Sequence, residues 1–223
     1  MIEARQKLID TARRMAPANL NRGAAGNLSA RVRENGEDGY LITPSGMDYD
    51  SLTPEDIVFM RPGGAPAGRR KPSSEWRFHH DVYLGRPEAG AILHAHSPFA
   101  SSLACLRRDI PPFHYMIARF GGDTIRCAEY ATFGTQALSD NALAALRGRC
   151  ACLLANHGLL AFGRTLEHVF SLAVEFEALC EQYWRACQLG PPALLSADEM
   201  RTVLAKFADY GQPGRQESGE SAA

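Results

Sequence analysis

Apolar residues along this chain recur at two different spacings, which separate helical stretches from extended ones. Between residues 3 and 20, Leu8, Ile9, Ala12 and Met15 follow one another at helical spacing and predict an amphipathic first helix. Alternating or short continuous apolar runs elsewhere are typical of strands. The predicted strands are residues 28–33, 39–43, 57–60, 91–96 and 152–160.

Capping residues and glycine or proline stops predict five further helices. These helices are residues 73–84, 98–107, 136–146, 165–189 and 196–210. The early hairpin makes antiparallel pairing the expectation, so the pattern predicts one domain that mixes strands with helices. We expect residues 1–211 to form this single catalytic domain. Residues 212–223 are polar and rich in Gly, Ser and Glu, which predicts a disordered tail.

Composition and charge narrow the possible functions. The 223 residues are 45% hydrophobic and 22% charged, with a formal net charge of −1, as in ordinary globular enzymes. This balance offers no basic surface for nucleic acid. The first residues have no signal-peptide core, no apolar run approaches membrane-spanning length, and the six cysteines form no compact framework. We therefore expect a cytoplasmic protein without nucleic-acid or membrane partners.

Two histidines at the end of a predicted buried strand are the first candidate for chemistry. His94 and His96 are separated by one residue, so both side chains point to the same face of a strand. Imidazole nitrogen binds zinc at about 2.0–2.1 Å and is one of its preferred ligands. The pair therefore predicts half of a metal site rather than two core residues.

A third histidine interrupts a later apolar run. His157 stands between Asn156 and Gly158 at the centre of residues 152–160, which we interpret as a turn-like insertion within one strand. The glycine lets backbone approach closely, which suits a ligand better than core packing. Three histidines with an open fourth position are typical of a catalytic metal, whereas a structural zinc site has four protein ligands.

The start of the second predicted helix offers two hydroxyls and a carboxylate. Ser73 or Ser74 is predicted to cap this helix, and its free N–H groups make a pocket suited to phosphate. Glu75 lies in the first turn, where the helix dipole favours a carboxylate even without a function. The glycine-punctuated loop at residues 21–27 exposes N–H groups that can hold an anion, although most such loops only turn the chain.

Two other groups of residues are given no function at this stage. We interpret His79 and His80 as packing or surface residues. The basic residues of the Gly- and Pro-rich segment 61–71 are interpreted as solvated charges of a surface loop.

Several of these motifs together resemble the class II aldolase/adducin family. The similar segments occur in one order over about residues 8–210. They are Gly26-Asn27, Thr43-Pro44-Ser45-Gly46, Pro72-Ser73-Ser74-Glu75-Trp76-Arg77-Phe78-His79, His94-x-His96, His114-Tyr115-Met116-Ile117, Tyr130-Ala131-Thr132-Phe133-Gly134-Thr135 and His157-Gly158. The resemblance implies an α/β fold, a three-layer αβα sandwich with a central, largely antiparallel mixed sheet. It also implies a homotetramer with active sites between subunits.

Carried over by position, the resemblance implies a role for each candidate residue. The ligands of Zn²⁺, or of Mn²⁺ or Co²⁺ in its place, would be His94, His96 and His157, with Glu75 as resting fourth ligand and catalytic acid/base. Tyr115 would be a catalytic residue contributed by a neighbouring subunit. The residues implied to hold the substrate phosphate are Gly26, Asn27, Ser45, Gly46, Ser73 and Ser74. Those implied to line the substrate pocket are Phe133 and Tyr210, the tyrosine again coming from a neighbour.

The implied activity is that of a metal-dependent class II aldolase, a lyase of carbohydrate metabolism. It would reversibly cleave a ketose 1-phosphate, such as L-fuculose 1-phosphate, to dihydroxyacetone phosphate and an aldehyde through a zinc-stabilised enediolate. No lysine stands at a predicted site position, which argues against Schiff-base chemistry. Asn156 stands where the members acting on L-fuculose 1-phosphate have a histidine, so the sugar stays open.

Three alternatives remain. An aldolase or dehydratase acting on 5-methylthioribulose 1-phosphate or 5-deoxypentulose phosphates would retain the same phosphate pocket. A pentulose-5-phosphate 4-epimerase would share the metal, but the resemblance then implies an acidic residue within residues 113–121, and this chain has none there. A non-enzymatic, adducin-like interaction module is disfavoured because the three histidines and Glu75 are all retained.

Overall fold

The computed structural model describes residues 1–23 and 25–208, and its centre is a mixed β-sheet. Eight strands of the described residues form this sheet in the order β4-β3-β2-β1-β5-β8-β7-β6. They are β1 (Asn27–Glu34), β2 (Glu37–Ile42), β3 (Val58–Met60), β4 (Pro66–Ala67), β5 (Ala91–Ala95), β6 (Cys127–Ala128), β7 (Ala151–Leu154) and β8 (Gly158–Gly163). Neighbouring strands are antiparallel, except that β6 and β7 are parallel.

Helices cover both faces of the sheet. The helices are α1 (Ile2–Met15), α2 (Trp76–Gly85), α3 (Pro98–Ala104), α4 (Gln136–Ala145), α5 (Leu166–Leu189) and α6 (Ala197–Ala208). One core joins a sheet face to α1, α3, α5, α6 and the 3-10 segment Tyr115–Phe120, and the other joins the opposite face to α2 and α4. The expected three-layer αβα fold with a largely antiparallel sheet is therefore confirmed.

The central strand β5 shows how its sequence divides between the two layers. Leu93 and the alanines two residues before and after it pack into the core under α1 and α5. Ile92, between them, packs into the core under α2. His94 follows the same alternation, and its ring meets the edge of Phe78 on α2 with centroids 5.5 Å apart. The strand therefore directs His94 into the layer that contains α2.

The first helix is shorter than predicted. It ends at Met15 rather than near Leu20. Pro17 has no N–H with which to continue the helical ladder. Asn19 then takes a left-handed conformation with φ of 57°, and the N–H of Leu20 donates to the carbonyl oxygen of Met15. The apolar periodicity continues past the point where the backbone can remain helical.

The interpretation of residues 152–160 as one interrupted strand is wrong. The segment forms two antiparallel strands, β7 and β8, with His157 in the turn between them. Asn156 has φ of 54°, a left-handed conformation that asparagine tolerates better than most residues, and the N–H of His157 donates to the carbonyl oxygen of Leu154 at 3.0 Å. A tight turn therefore replaces the predicted insertion.

Two basic residues of the segment 61–71 are not simply solvated. Arg69 and Arg70 donate to the carboxylate of Asp56, at 2.9 Å and 2.8 Å, and Asp56 is only 2% exposed. The N–H of Thr53 also donates to this carboxylate at 3.0 Å. The prediction failed here because the partner of these arginines is a buried acid from a preceding segment.

The helix starts agree with the sequence in part. Thr165 caps α5, and the side chains of Ser196 and Glu199 form the predicted capping box before α6. At α2, however, Glu75 is the N-cap residue, and the Ser73 hydroxyl accepts a hydrogen bond from the N–H of Glu75 at 3.3 Å. Tyr210 and the predicted tail, 212–223, lie outside the described residues. Among the described residues, no helix has the length and apolar character to cross a membrane.

Candidate metal and active site

Three separate parts of the fold bring the predicted ligands together. His94 lies near the end of β5, His96 follows it, and His157 lies in the β7–β8 turn. Because β5 pairs with β8 up to Ala95 and Leu159, the end of one strand meets the turn that precedes the other. Glu75, the N-cap residue of α2, approaches from the helical layer next to β5.

The four side chains converge on one point. The donor atoms of Glu75, His94, His96 and His157 all lie within 4.8 Å of one another. The Glu75 Oε2 is 3.2 Å from the His94 Nε2, and the Glu75 Oε1 is 3.2 Å from the His157 Nε2. The Nε2 atoms of His94 and His96 are 2.9 Å apart.

The polar atoms of this cluster fit a divalent cation. His94 Nδ1 contacts the carbonyl oxygen of Leu159 at 2.8 Å, and since that oxygen only accepts, Nδ1 carries a hydrogen and Nε2 is the atom that faces the cluster. Glu75 is 6% exposed, yet its Oε1 receives no hydrogen bond within the described part of the chain. Three imidazole nitrogens and a carboxylate are a donor set suited to zinc and similar metals.

The ionisation states agree with metal binding. Burial lowers the pKa of His157 to about 3, so its ring is neutral near pH 7, and neutral imidazole is the form that binds metal. Burial by itself would raise the pKa of Glu75. The imidazole of His94, 3.2 Å away, and the hydrogen bond from the amide of Asn27 outweigh that effect and hold this pKa well below its usual range. Glu75 is therefore a carboxylate.

A cleft of about 360 Å³ opens beside the cluster. Glu75, His96 and His157 line its inner end, and Phe133 lines it as expected. All six residues predicted to hold a phosphate also line it. They are Gly26, Asn27, Ser45, Gly46, Ser73 and Ser74. The loops that carry these residues therefore meet at one cleft beside the histidines.

Gly26 lies where the loop before β1 approaches β5, the strand that carries His94. Its φ is 82°, and a Cβ there would lie 2.6 Å from the carbonyl oxygen of His94. A real Cβ does not approach backbone so closely, so a side chain at this position would displace the strand that presents His94. Glycine is required at this point of the cleft for both reasons.

One predicted site residue of the described part of the chain does not line this cleft. Tyr115 is 50% exposed, lies in the 3-10 segment Tyr115–Phe120, and is not among the residues that line the cleft. Tyr210 lies outside the described residues. The position of Tyr115 leaves open the expectation that it serves the site of a neighbouring subunit.

Sequence reasoning gave no role to several residues at the site. Tyr130 and Asn156 line the cleft, and the Asn156 Oδ1 accepts from the Nε of Arg107 at 2.6 Å. Asn156 could have been found because it is adjacent to His157. Tyr130 could have been found because it lies in the same glycine-containing segment as Phe133. His79, interpreted as a packing or surface residue, is fully buried and contacts Asn27 and Ser29 through its two ring nitrogens.

Comparison with known proteins agrees with this geometry. Residues 6–184 match the family model described as "Class II Aldolase and Adducin N-terminal domain". The chain is 56% identical over 210 residues to the 5-methylthioribulose-1-phosphate/5-deoxyribulose-1-phosphate aldolase of Rhodospirillum rubrum, covering 94% of this chain and 93% of that protein. It is 45% identical over 207 residues to the L-fuculose phosphate aldolase of Escherichia coli K12, covering 92% of this chain and 94% of that protein.

A solved structure gives the same result for the fold. An L-fuculose 1-phosphate aldolase superposes on the chain with a TM-score of 0.88 at 41% identity, covering 93% of this chain and 97% of that one. The family match at residues 6–184 includes the segments that carry Glu75 and the three histidines, and the superposition covers 93% of the chain. The chain therefore belongs to the class II aldolase and adducin family, and within it is an aldolase, a carbon–carbon lyase.

Proposed function

We propose that this aldolase binds a zinc ion through Glu75, His94, His96 and His157 and cleaves a ketose 1-phosphate to dihydroxyacetone phosphate and an aldehyde. The observation that carries the proposal is the juxtaposition of these four side chains with a cleft lined by serine and glycine. One end of the cleft suits a divalent cation. The other offers hydroxyls and loop backbone to a phosphate.

The preferred substrates are 5-deoxypentulose 1-phosphates, with 5-methylthioribulose 1-phosphate among them. The name and 56% identity of the Rhodospirillum rubrum relative support this choice. The cleft supports it as well, because Tyr130, Ala131 and Phe133 offer apolar surface to the end of the substrate that lacks phosphate. A methyl or methylthio group gains from burial against such surface, whereas a hydroxyl needs a partner there.

L-fuculose 1-phosphate is the second candidate substrate. Two observations favour it: the 45% identity to an L-fuculose phosphate aldolase, and the superposition at a TM-score of 0.88. Both substrates are ketose 1-phosphates, so the cation and phosphate ends of the cleft serve either one. They differ only at the aldehyde end, where the aromatic residues lie.

The residues divide the chemistry between them. A bound divalent cation supplies Lewis-acid stabilisation of the negative charge that develops on substrate oxygens as the C3–C4 bond breaks. Glu75 is the acid/base: its carboxylate takes up a proton from solvent and delivers it to C3 of the dihydroxyacetone phosphate portion after cleavage, which balances the proton that the C4 hydroxyl gives up. His94, His96 and His157 would donate ring nitrogens to the cation and are held in place by the strand end and the turn, and His94 is oriented by the Leu159 carbonyl oxygen.

The phosphate end of the cleft acts by positioning. Ser73 is 5% exposed, and Ser45 and Gly46 lie on the adjacent segment, which pairs with that of Ser73 through the Pro44–Pro72 bridge. No lysine or arginine lines the described part of this cleft, so hydroxyl and backbone N–H donors would carry the recognition. Binding energy from the phosphate, remote from the C3–C4 bond, then orients the reacting carbons.

Tyr115 removes the proton from the C4 hydroxyl, and we propose that it does so in the site of a neighbouring subunit. Its half-exposed position outside the cleft of its own chain supports this assignment. Tyr210 is proposed to reach the substrate pocket in the same way. The assembly proposed is a homotetramer, with each active site between two chains. A cytoplasmic location is proposed as well, supported by six unpaired cysteines.

Release of dihydroxyacetone phosphate from a panel of ketose 1-phosphates tests this function. The panel contains 5-deoxyribulose, 5-methylthioribulose and L-fuculose 1-phosphates, each beside its unphosphorylated sugar. We expect turnover of the phosphorylated sugars, greatest for the first two. Activity should disappear after chelation and return with Zn²⁺, while circular dichroism shows the fold retained. Equal turnover of free sugars, or full activity after chelation, would contradict the proposal.

A further inference from the structure

A row of polar side chains runs from Glu75 into the interior between α2 and β1. The helix contributes every fourth residue and the strand every second residue, so the members alternate between the two elements. In order they are Glu75, Asn27, His79, Ser29 and Tyr83. Four residues of helix rise about 6 Å and two residues of strand about 6.6 Å, so the two repeats stay in step.

Each neighbouring pair in this row is in hydrogen-bonding contact. The Asn27 Nδ2 is 2.9 Å from the Glu75 Oε2, and the Asn27 Oδ1 is 2.5 Å from the His79 Nε2. The Ser29 hydroxyl is 2.7 Å from the His79 Nδ1 and 2.9 Å from the Tyr83 hydroxyl. Asn27 is 3% exposed, and His79 and Ser29 are fully buried.

The hydrogen bond from Asn27 to Glu75 determines the direction of the others in the row. Asn27 presents its amide nitrogen to the Glu75 Oε2 and therefore its oxygen to His79. That oxygen only accepts, so the hydrogen of the His79 ring lies on Nε2. The Nδ1 atom of His79 is then an acceptor, and the Ser29 hydroxyl donates to it. Burial lowers the pKa of His79 to about 3, which agrees with a ring that carries one hydrogen.

We propose that His79 is a positioning residue of the aldolase site, which holds the Asn27 amide in the orientation that donates to Glu75. This inference rests on the proposed role of Glu75 as metal ligand and acid/base. If the Asn27 amide were reversed, its oxygen would face the carboxylate oxygen at 2.9 Å, and the repulsion would move Glu75 away from the histidines. The Nε2–H of His79 prevents this reversal because it requires an acceptor opposite it.

A purely structural role makes a different prediction. The His79 ring also stacks on Phe78 with centroids 4.8 Å apart, so any substitution removes packing. If packing were its whole contribution, substitutions of similar size would have similar effects, and stability would change without a change in the site. The two roles are separated by variants that each carry a side-chain amide in place of the ring, at different distances from the backbone.

The experiment compares His79→Gln with His79→Asn. The glutamine amide reaches the position of Nε2 and can donate to Asn27, whereas the shorter asparagine amide reaches only the position of Nδ1. We expect His79→Gln to retain kcat within about threefold. His79→Asn should lose about 10–100-fold in kcat, with KM changed little, and a similar factor in Zn²⁺ affinity, as for other groups that orient a metal ligand.

Zinc affinity is measured by competition with a chromogenic chelator and requires no turnover. The matched control is Tyr40→Phe, which removes a buried hydroxyl 3.4 Å from the Trp76 carbonyl oxygen on the same helix but has no contact with Glu75. Its kcat and zinc affinity should equal those of the wild type. Equal losses in the two His79 variants, or wild-type values in both, would overturn the proposal.

A further variant covers the case in which His79→Asn does not fold. Ser29→Ala removes the hydroxyl that donates to the His79 Nδ1, and should lower kcat and zinc affinity by about 3–10-fold. Wild-type values for Ser29→Ala would then count against the role of His79. If the wild-type protein cleaves no ketose 1-phosphate, the proposed function fails, and the comparison of zinc affinities still decides whether His79 positions Glu75.

Discussion

Two left-handed backbone conformations border the histidine cluster. Gly26, with φ of 82°, brings the first loop against the strand that carries His94, and Asn156, with φ of 54°, forms the turn that presents His157. Each conformation is accessible mainly to glycine and asparagine. The site therefore depends on residues that contribute no metal donor or proton.

Gly26→Ala should cost more stability than the same change elsewhere. Gly36 is the matched control, since its φ is 83° but a Cβ there would meet nothing within 4 Å. Gly36→Ala should cost about 1–2 kcal/mol for the left-handed backbone alone. Gly26→Ala should cost at least about 1 kcal/mol more, because its Cβ would press on the His94 carbonyl oxygen, and should weaken zinc binding. Urea unfolding and zinc titration measure the two effects, and equal results for both variants would contradict this account.

Ser73→Ala should weaken binding of the substrate phosphate. The hydroxyl is nearly buried at the wall of the cleft, and its loss leaves a phosphate oxygen without a partner, at a cost of about 1–3 kcal/mol in binding. Calorimetric titration with dihydroxyacetone phosphate measures the change. Ser102→Ala, an exposed serine on α3 whose hydroxyl donates to the Pro98 carbonyl oxygen, is the control and should bind as the wild type does. A normal affinity in Ser73→Ala would remove Ser73 from the phosphate pocket.

At the scale of elements, a buried carboxylate ties together segments around the edge of the sheet. Asp56 precedes β3 and accepts from Thr53, Arg69 and Arg70, so it holds the segment 61–71 against the turn before that strand. Burial alone would raise the pKa of Asp56. The hydrogen bonds from Arg70, Thr53 and Arg69 outweigh burial and hold the pKa well below its usual range.

Asp56→Asn should therefore destabilise the fold in a pH-dependent way. We expect a loss of about 1–3 kcal/mol in the free energy of unfolding at pH 7. A pKa that is lower in the folded state gives stability that is fully present above the unfolded value of about 3.9 and is lost as pH falls towards the folded value. The difference between variant and wild type should thus shrink below about pH 4.

Urea denaturation at pH 7 and pH 3 checks the effect of Asp56→Asn. Asp38→Asn is the control, because Asp38 is 81% exposed and its nitrogen–oxygen distance to Arg33 is 3.9 Å. This surface substitution should change stability by less than about 0.5 kcal/mol at either pH. A loss for Asp56→Asn that is the same at both pH values would show that the charge of Asp56 is not responsible.

At the scale of the whole molecule, the two apolar cores lie on opposite faces of the sheet, and neither includes Glu75 or the three histidines. Glu75 and the three histidines lie at one end of the central strands, and Tyr115 lies exposed outside their cleft. One chain thus provides the metal donors and the lining of the cleft. A second chain is required if Tyr115 is to reach the substrate.

Mixing two inactive variants tests whether the sites are shared. Glu75→Gln lacks the proposed acid/base and Tyr115→Phe lacks the hydroxyl proposed to act at C4, so each should be nearly inactive alone. In a closed ring of subunits, an equal mixture that is unfolded and refolded should restore about a quarter of the sites, which combine Glu75 from one chain with Tyr115 from the next.

The control for this mixing is Glu75→Gln with His157→Ala, two residues within the same cluster of one chain. No mixed site can combine an intact Glu75 with an intact His157 unless both come from one wild-type chain, so this mixture should stay inactive. If the first mixture forms hybrid tetramers without regaining activity, Tyr115 acts within its own chain or not at all.

The sequence by itself determined what depends on neighbours along the chain. The period of two brings the His94 and His96 side chains together, and apolar spacing predicts most of the helices and strands with small errors at their ends. It also predicted the loops that line the cleft and the class of reaction, through motifs whose order resembles a known family. The exceptions were local too: Pro17 ended the first helix early, and Asn156 turned one predicted strand into a hairpin.

Only the tertiary structure decided which distant residues meet. The β1–β5 register sets Asn27 opposite His94, and the packing of α2 on β1 places His79 between Asn27 and Ser29. Neither contact leaves a periodic signal, because a strand shifted by one residue would have the same spacing but the opposite face buried. The role of His79 follows from that register, since a histidine is buried at little cost only where both its nitrogens find partners.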